Sequence, residues 1–237
     1  MQSLFRYTAP PSTCGYLSAE RWSLEYEMVA HLTAAEYEQR LGEGWRRFGS
    51  MMFRPQCPYC RACQSLRVDV EKFHLSRSQR RAMKLNAGKT EVRIGQPSVS
   101  AEKLRLYDRF HEFQTHAKGW PEHPEKDPAS YRESFVHNPD FTEEWCYYLE
   151  DRLVGVGYVD RLPASMSAIY FFYDPHLREL SLGTWNVLCI LDACHRNKLP
   201  HLYLGYYVEG CRSLEYKAKF RPNQTLGGDG RWHDFLV

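Results

Sequence analysis

The sequence of 237 residues contains no run of about 18 apolar residues, the length that a membrane-spanning helix needs. Residues 1–6 also lack the apolar core of a secretory signal. We therefore expect a cytoplasmic protein that does not bind a membrane. Reduced thiols are the normal state in that compartment, so the eight cysteines are expected to be free rather than paired in disulfides. No short tandem repeat is present, which argues against a repeat fold.

Net charge is also small, at +2, but it is distributed unevenly. Residues 61–93 carry nine Lys or Arg against three Asp or Glu, and residues 195–221 carry six against two. Residues 112–151 show the opposite bias, with ten acidic and three basic side chains. Basic segments of this kind either attract a polyanion or form solvated faces, and charge alone leaves both interpretations open.

Capping boxes and hydrophobic periodicity predict the regular elements. Thr33 with Glu36, and Ser76 with Gln79, have the capping-box spacing and predict helices that end near residues 41 and 86. Helical periodicity predicts further helices at 101–117 and 183–197 and a short one at 213–218. Strands are predicted at residues 23–29, 64–70, 90–94, 145–150, 153–160, 168–173 and 201–205, with a hairpin at 45–54.

A Gln-Pro-Ser segment at residues 96–98 is the predicted domain boundary. It separates an N-terminal domain, residues 1–96, which contains a cysteine motif, from a C-terminal transferase domain, residues 97–237. Both parts have the order helix, antiparallel strands, helix, strand, which resembles the GNAT acyltransferase fold. We predict an α+β protein with a GNAT-like fold that is duplicated or split into two GNAT-like halves.

The cysteine motif consists of Cys57, Cys60 and Cys63, each separated by two residues. This spacing lets a tight turn direct several sulfur atoms at one ion, and Cys14 is the candidate for a fourth ligand. The motif predicts zinc or an iron–sulfur cluster, although redox-sensitive free thiols fit the same pattern. Arg67 occupies the position of the fourth cysteine of a bacterial ferredoxin motif, which excludes a simple ferredoxin.

The segment between residues 174 and 184 joins a predicted strand to a predicted helix. In acyl-CoA acetyltransferases this place carries R/Q-x-x-G-x-G/A, whose backbone amides bind a pyrophosphate. Here the pattern is Arg178-x-x-Ser181-x-Gly183, with serine in place of the first glycine. A side chain there hinders the approach of a pyrophosphate to the backbone, so we expect no CoA.

Residues 203–222 combine five Tyr or Phe with four Lys or Arg. Aromatic rings stack on bases and cations pair with phosphates, so this composition suits single-stranded nucleic acid. A strand edge with a solvated cationic face has the same composition.

The chain resembles the aminoacyl-tRNA–protein transferases of the N-degron pathway, which comprise bacterial aspartate/glutamate leucyltransferases and eukaryotic arginyltransferases. The resemblance covers nearly the whole chain, whose length is that of the bacterial branch. It is carried by Cys14-Gly-Tyr-Leu, Gly44-Trp-Arg-Arg47, Phe53-Arg-Pro-x-Cys57-x-x-Cys60-x-x-Cys63, Ser76-Arg-Ser-Gln-Arg-Arg81, Phe172-Tyr-Asp174-Pro175, Ser181-Leu-Gly-Thr184, Tyr203-Leu-Gly-Tyr206 and Tyr216-Lys-Ala-Lys-Phe220. In the eukaryotic branch the N-terminal cysteines are linked to an iron–sulfur cluster; here Leu17 replaces one of them.

The resemblance implies that an aminoacyl group moves from aminoacyl-tRNA to the N-terminal Asp or Glu of a protein, which marks that protein for degradation. Leucine is the expected donor amino acid, and arginine is the alternative. The aminoacyl ester is already activated, so no ATP is expected at this step. We expect a monomer whose partners are aminoacyl-tRNA and the acceptor protein.

Three residues are predicted to be catalytic. Asp174 would hold an ammonium group, and Tyr206 would line the pocket for the aminoacyl or adenosine group. Lys217 would lie near the ester or the terminal phosphates of tRNA. Asp174 has a structural alternative, because an Asp-Pro pair also shapes a turn.

Five further residues are predicted to bind substrate. Arg77, Arg80 and Arg81 would contact tRNA phosphate or the acceptor carboxylate. Tyr207 would line the pocket beside Tyr206, and Lys219 would lie near the ester or the terminal phosphates of tRNA. Surface charge is the structural alternative for the arginines.

Three other functions remain open from the sequence. A CoA-dependent N-acetyltransferase would use the same fold, but Ser181 argues against it. A tRNA-binding module built on a metal site would bind without transferring anything. A redox sensor would use the cysteines to regulate a partner.

Overall fold

The computed structural model describes residues 1–122 and 124–235. The first part of the chain forms a four-stranded antiparallel sheet with the order β1-β4-β6-β5. Its strands are β1 (Gln2–Thr8), β4 (Leu24–Ala30), β5 (Arg46–Phe48) and β6 (Met51–Pro55); a ribbon of β2 (Ser12–Thr13) and β3 (Arg21–Trp22) precedes β4. The predicted hairpin is confirmed, because β5 and β6 pair across a turn at Gly49 and Ser50.

Helix α1 (Ala34–Gly42) follows β4 and begins at the predicted capping box. The backbone N–H of Glu36 donates to Oγ1 of Thr33 at 3.3 Å, and the backbone N–H of Thr33 donates to Oε2 of Glu36 at 2.9 Å. The buried side chains of Tyr37 and Leu41 pack with Trp45 in one hydrophobic cluster. Local capping therefore sets the start of the helix, and burial of one face holds it in place.

An eight-stranded sheet forms the centre of the protein, with the order β14-β13-β7-β12-β11-β10-β9-β8. Its strands are β7 (Gln64–Asp69), β8 (Thr90–Gly95), β9 (Thr142–Leu149), β10 (Arg152–Arg161), β11 (Ser165–Tyr173), β12 (His201–Tyr207), β13 (Asn223–Leu226) and β14 (Trp232–Asp234). All neighbours are antiparallel except β11 and β12. Because β7 and β8 belong to this sheet, it contains strands from both sides of residue 96. That residues 1–96 and 97–237 are separate domains stays a prediction.

Helices contribute to two separate cores of this sheet. Helices α2 (Arg77–Asn86) and α5 (Leu182–Arg196) share one hydrophobic cluster, in which Ile190 is fully buried with Met166. Helices α3 (Ala101–Lys118) and α4 (Pro128–Tyr131) share the other, in which Phe110 packs with Phe172. Helix α2 begins at Ser76, so the second predicted capping box is also confirmed.

The predicted mixture of helices and mainly antiparallel strands is confirmed by the order of elements. The predicted strands between residues 145 and 205 correspond to β9, β10, β11 and β12, and the helix predicted at 183–197 is α5. Two 3₁₀ turns, Pro175–Leu180 and Glu215–Lys219, flank α5 and β12, and the second lies where a short helix is predicted. In the described part of the chain no helix is both long and apolar enough to cross a bilayer.

Candidate active site

The parallel strands β11 and β12 separate after a short paired segment. Only residues 165–167 of β11 pair with residues 201–203 of β12. Further along, β12 pairs only with β7, and β11 pairs only with β10. A cavity of about 870 Å³ lies at this separation, lined by Ile169 and Tyr170 of β11 and by Leu204 and Tyr206 of β12 among others. Its volume is within the range of small-molecule sites.

Strand β12 bends at Gly205, where the cavity begins. The pairing of β12 with β7 shifts register between Tyr203 and Gly205, and Gly205 has a φ of +81°, which favours glycine. A Cβ atom at Gly205 would lie 3.3 Å from Nζ of Lys217. That ammonium group donates a hydrogen bond to the carbonyl oxygen of Tyr206 at 2.8 Å. The glycine therefore leaves room for Lys217 beside the strand.

Arg46 of β5 reaches the same part of β12 from the four-stranded sheet. Its side chain lines the cavity, although the residue is only 6% exposed. One terminal nitrogen donates to the carbonyl oxygen of Trp45 at 2.6 Å and the other to that of Gly205 at 3.4 Å. The guanidinium carbon lies 5.6 Å from the ring centre of Tyr203 and 5.3 Å from that of Tyr206. These contacts fix the plane of the guanidinium group at the cavity wall.

The next residue, Arg47, has a different environment. Its Nε donates to Oδ2 of Asp160 at 3.0 Å, and one terminal nitrogen donates to the Gly49 carbonyl and to Oδ1 of Asn138, both at 2.8 Å. The side chains of Arg47 and Asp160 are fully buried. Burial raises the pKa of Asp160, and the Arg47 charge opposes that change. This ion pair joins β5 to β10 across the two sheets.

Lys217 is the titratable group in the cavity with the largest lowering of pKa. Burial, followed by the positive charge of Arg46, lowers its pKa to about 7. The residue keeps part of its surface exposed because it lines the cavity. A lysine with this pKa is partly neutral near pH 7 and can then accept a proton.

The cavity is basic and partly apolar. Among its described lining residues there is no Asp or Glu, and the charged ones are Arg46, Arg47, Lys118, Arg212 and Lys217. Its apolar wall includes Phe48, Phe110, Trp120, Ile169 and Tyr170. Sequence reasoning gave Arg46 no role, although the adjacent arginines in Gly44-Trp-Arg-Arg47 were a usable signal. The cavity is thus suited to a ligand that carries negative charge and an apolar group.

Of the two adjacent tyrosines predicted to line a pocket, only Tyr206 is among the cavity residues. Its hydroxyl donates to the carbonyl oxygen of Gly44 at 2.9 Å, and burial raises its pKa. Side chains alternate along a strand, so Tyr207 points away from Tyr206. It packs in the core, with its ring centre 4.8 Å from that of Phe235. Its position does not support a direct contact with a ligand in the cavity.

Asp174 lies outside the cavity lining. It is 1% exposed, and its Oδ1 accepts a hydrogen bond from the backbone N–H of His176 at 3.1 Å, which caps the first 3₁₀ turn. Its Oδ2 lies 3.0 Å from Arg109 and 3.7 Å from Arg152. These contacts support the structural alternative for this residue, and its catalytic role stays a prediction.

The predicted tRNA-binding arginines also lie outside the cavity. Arg77, Arg80 and Arg81 are exposed on α2 and, together with Lys84, line a separate depression of about 390 Å³. Lys219 is exposed on the second 3₁₀ turn and is not a lining residue of the cavity. Of the three predicted catalytic residues, the structure therefore brings together Tyr206 and Lys217. Asp174 and the five predicted substrate-binding residues lie outside the cavity lining.

The four cysteines predicted to bind a metal do not form a ligand set. Within residues 1–122 and 124–235 no three His, Cys, Asp or Glu side chains are arranged to hold an ion. Cys57 is buried, and Cys14, Cys60 and Cys63 are partly buried and free. Burial, followed by the charges of the neighbouring cysteines, raises the pKa of Cys63 to about 12. The predicted zinc or iron–sulfur site is therefore unsupported, because the described cysteines are not grouped as three or more ligands of one ion.

The turn before α5, which carries the acyltransferase-like pattern, lies at the cavity. Ser181, Gly183 and Thr184 are lining residues, and Ser181 has a left-handed conformation with a φ of +55°. The Ser181 side chain makes no capping hydrogen bond at the start of α5. The expectation that CoA does not bind here stays a prediction.

Two family models match the chain. The model described as "Arginine-tRNA-protein transferase, N terminus" matches residues 12–81, and the one described as "Arginine-tRNA-protein transferase, C terminus" matches residues 102–227. Together they cover most of the chain, including Arg46 and Lys217 in the cavity. The chain belongs to the arginine-tRNA-protein transferase family, which confirms the family predicted from the motifs.

Within that family the chain is similar to several proteins named aspartate/glutamate leucyltransferase. The protein of that name from Campylobacter jejuni (strain 81-176) is 36% identical over 215 residues, which span 91% of this chain and 90% of that protein. The protein from Helicobacter hepaticus is 34% identical over 224 residues, or 94% and 92% of the two chains. The protein from Aeromonas salmonicida is 38% identical over 231 residues, with the same coverage.

Similarity to solved structures is weaker. The C-terminal domain of a putative lysylphosphatidylglycerol synthetase from Agrobacterium fabrum aligns with a TM-score of 0.47 and 10% identity, over 71% of this chain and 61% of that one. FemX aligns with a TM-score of 0.46 and 8% identity, over 78% and 63%. Similarities this weak decide neither fold nor function.

Proposed function

We propose that this protein transfers leucine from leucyl-tRNA to the N-terminal aspartate or glutamate of other proteins. The observation that carries the proposal is the cavity between β11 and β12. Apart from Arg47, whose charge is paired with Asp160, its described lining residues include four basic and no acidic side chains. Such a cavity suits an acceptor carboxylate and the phosphates at the end of tRNA. The names of the relatives supply the donor and the acceptor. The modified acceptor would be marked for degradation, as in the N-degron pathway.

Leucine suits the cavity better than arginine as the donor amino acid. An arginyl side chain would bring a further cation into a cavity that already contains Arg46 and Lys217, with no carboxylate among its described lining residues. A buried cation without a partner is strongly disfavoured. A leucyl side chain needs only apolar contact, which residues such as Phe110 and Ile169 supply.

The reaction forms a C–N bond between the acceptor α-amine and the leucyl carbonyl, and it breaks the C–O bond to the terminal ribose of tRNA. The amine must first lose a proton to become a nucleophile, and the leaving ribose oxygen must gain one. Lys217 has the position and the lowered pKa to accept the first proton and return one to the leaving oxygen. Lys217, once protonated, would stabilise the oxyanion that forms between these steps.

The body of the tRNA would contact α2. Arg77, Arg80, Arg81 and Lys84 form an exposed basic face on this helix, and these four residues surround a shallow depression. Lysine and arginine on one helix face provide sequence-independent contacts to phosphates. The carbonyl oxygen of Lys219, close in sequence to Lys217, accepts a hydrogen bond from Gln79 of α2 at 3.0 Å. The basic face and the cavity are therefore linked through one turn.

We also propose that the C-terminal region, residues 97–237, is a GNAT-like transferase domain. The support is the order of its elements: antiparallel β9, β10 and β11 are followed by α5 and by β12, which is parallel to β11. Residues 1–96 would be a second folding unit that contributes β7 and β8 to the eight-stranded sheet. We propose further that the enzyme acts as a cytoplasmic monomer, since its donor, leucyl-tRNA, is made in the cytoplasm.

The test is a transfer assay with two donors and four acceptors. Leucyl-tRNA and arginyl-tRNA are offered separately, with peptides that begin with Asp, Glu, Lys or Ala. The proposal expects transfer from leucyl-tRNA to the Asp and Glu peptides. Absence of transfer in every combination would refute an aminoacyltransferase, and transfer from arginyl-tRNA alone would reassign the donor.

A further inference from the structure

Arg46 is a buried cation with unused hydrogen-bonding capacity. Its Nε has no hydrogen-bond partner among the described residues, and none of the ion pairs in this part of the chain includes Arg46. Its two terminal nitrogens donate hydrogen bonds to carbonyl oxygens, so no described carboxylate balances its positive charge. The side chain is more than nine-tenths buried and borders the cavity.

The contrast with Arg47 shows that the fold is able to neutralise an arginine at this place. Arg47 has Asp160 as a buried ion-pair partner and also binds Asn138 and Gly49. A buried charge without a partner carries a desolvation penalty of several kcal/mol. Polar groups left unsatisfied at a cavity wall are explained most simply by a ligand that satisfies them. A ligand with an oxyanion would supply both the missing negative charge and the missing hydrogen-bond acceptor.

We infer that Arg46 binds the side-chain carboxylate of the acceptor's N-terminal Asp or Glu. This inference rests on the proposed function and assigns acceptor specificity to one residue of the cavity. The acceptor carboxylate lies only a few bonds from the reacting α-amine, so both must enter the same cavity. Asn or Gln at the acceptor N-terminus would leave the arginine unpaired, and a site with an unpaired buried group rejects such a ligand strongly. The 5′-phosphate of the terminal tRNA nucleotide is the other oxyanion within reach of the ester.

The experiment compares Arg46→Gln and Arg46→Lys with the wild type. Transfer to peptides that begin with Asp or Asn is measured with leucyl-tRNA and with 3′-O-leucyl-adenosine, a donor without phosphate. Binding of the labelled peptides is followed by fluorescence anisotropy. We expect Arg46→Gln to reduce kcat/KM and affinity for the Asp peptide roughly 10- to 100-fold with either donor, and to leave the Asn peptide unchanged. Arg46→Lys should retain part of the preference, because it keeps the charge but loses the planar fork.

The control is Arg196→Gln, which removes the same charge from an exposed ion pair with Asp192 on α5. It should leave the preference for Asp over Asn unchanged. A loss in Arg46→Gln that is equal for both peptides and disappears with leucyl-adenosine would assign Arg46 to the tRNA phosphate and overturn the inference. An unchanged Asp-to-Asn ratio in an active, folded variant would overturn it too, while leaving the proposed function intact. Failure of the proposed function would show instead as a wild-type protein that transfers nothing.

Discussion

The side chains of Arg46 and Lys217 donate hydrogen bonds to two consecutive carbonyl oxygens of β12, at 3.4 and 2.8 Å. One residue comes from the four-stranded sheet and the other from the turn after β12, and the positive charge of Arg46 helps to lower the pKa of Lys217. The two neighbouring side chains therefore differ in their properties: Lys217 titrates near neutral pH, and contacts with the rings of Tyr203 and Tyr206 hold the Arg46 guanidinium group at the cavity wall. This difference suits a reaction in which one side chain binds an anion and the other accepts a proton.

Replacing Lys217 by Met should slow the chemical step. A positioned general base contributes roughly 10²- to 10⁴-fold, so the single-turnover rate of leucyl transfer should fall by that factor. The wild-type rate should rise with pH up to about 7, where Lys217 becomes neutral, and this part of the profile should be missing in the variant. Lys72→Met, which removes an exposed lysine paired with Asp69, is the control. An unchanged rate and profile would remove Lys217 from catalysis.

The same substitution should stabilise the protein in a pH-dependent way. The pKa of Lys217 is about 7 in the folded protein and near 10.4 in the unfolded chain, so between these values the unfolded state binds more protons. The penalty for burying the charge is complete below pH 7 and disappears as pH approaches 10.4. Lys217→Met should be more stable than the wild type by about 1 kcal/mol at pH 6, with water in the cavity reducing the effect, and the difference should vanish near pH 10. Urea unfolding at several pH values measures this, and a constant difference would contradict it.

Breaking the ion pair between Arg47 and Asp160 should destabilise the fold. Arg47→Met leaves a buried carboxylate without its partner, which costs about 3–5 kcal/mol of the free energy of unfolding. The double variant Arg47→Met/Asp160→Leu removes both charges and should recover much of that loss. Urea unfolding of the two variants and the wild type gives the comparison. If the double variant were as unstable as the single one, uncompensated charge would not be the cause.

The basic face of α2 should affect tRNA affinity and not chemistry. Changing Arg77, Arg80 and Arg81 together to Gln should weaken tRNA binding and reduce the slope of log affinity against log salt by roughly one for each lost phosphate contact. Transfer from leucyl-adenosine should not change, because that donor has no tRNA body. Arg196→Gln, which removes one exposed arginine from α5, is the control for the loss of a surface charge away from α2. An unchanged salt slope in the triple variant would show that tRNA binds elsewhere.

The sequence predicts elements whose signals are local. Each of the caps at Thr33 and Ser76 depends on residues close together in sequence, and both form in the structure as predicted. Strand β1 was missed because all seven of its residues are exposed, so no burial pattern marks it. Strands β13 and β14 are only four and three residues long, which is too short for a clear alternation.

The site depends on contacts between distant parts of the chain, which explains why much of it was missed. Arg46 and Gly205 are 159 residues apart, and only the fold shows that they meet. Tyr206 and Tyr207 have the same residue type, and the pleat alone decides that one borders the cavity and the other the core. Asp174 in an Asp-Pro pair fitted both a ligand and a cap, and its contact with the His176 backbone supports the cap.

Strand β7 lies between β12 and β13, although it comes from the first part of the chain. Deleting residues 1–96 would remove β7, which among the described strands is the one that joins β13 and β14 to the rest of the sheet, and would remove Arg46 as well. A chimaera that combines the first part of this chain with the second part of a relative must therefore match β7 to both of its neighbours. The first part of the chain thus supplies both Arg46 and a strand of the central sheet. We therefore expect acceptor specificity to change through substitutions within the cavity and not through exchange of whole halves.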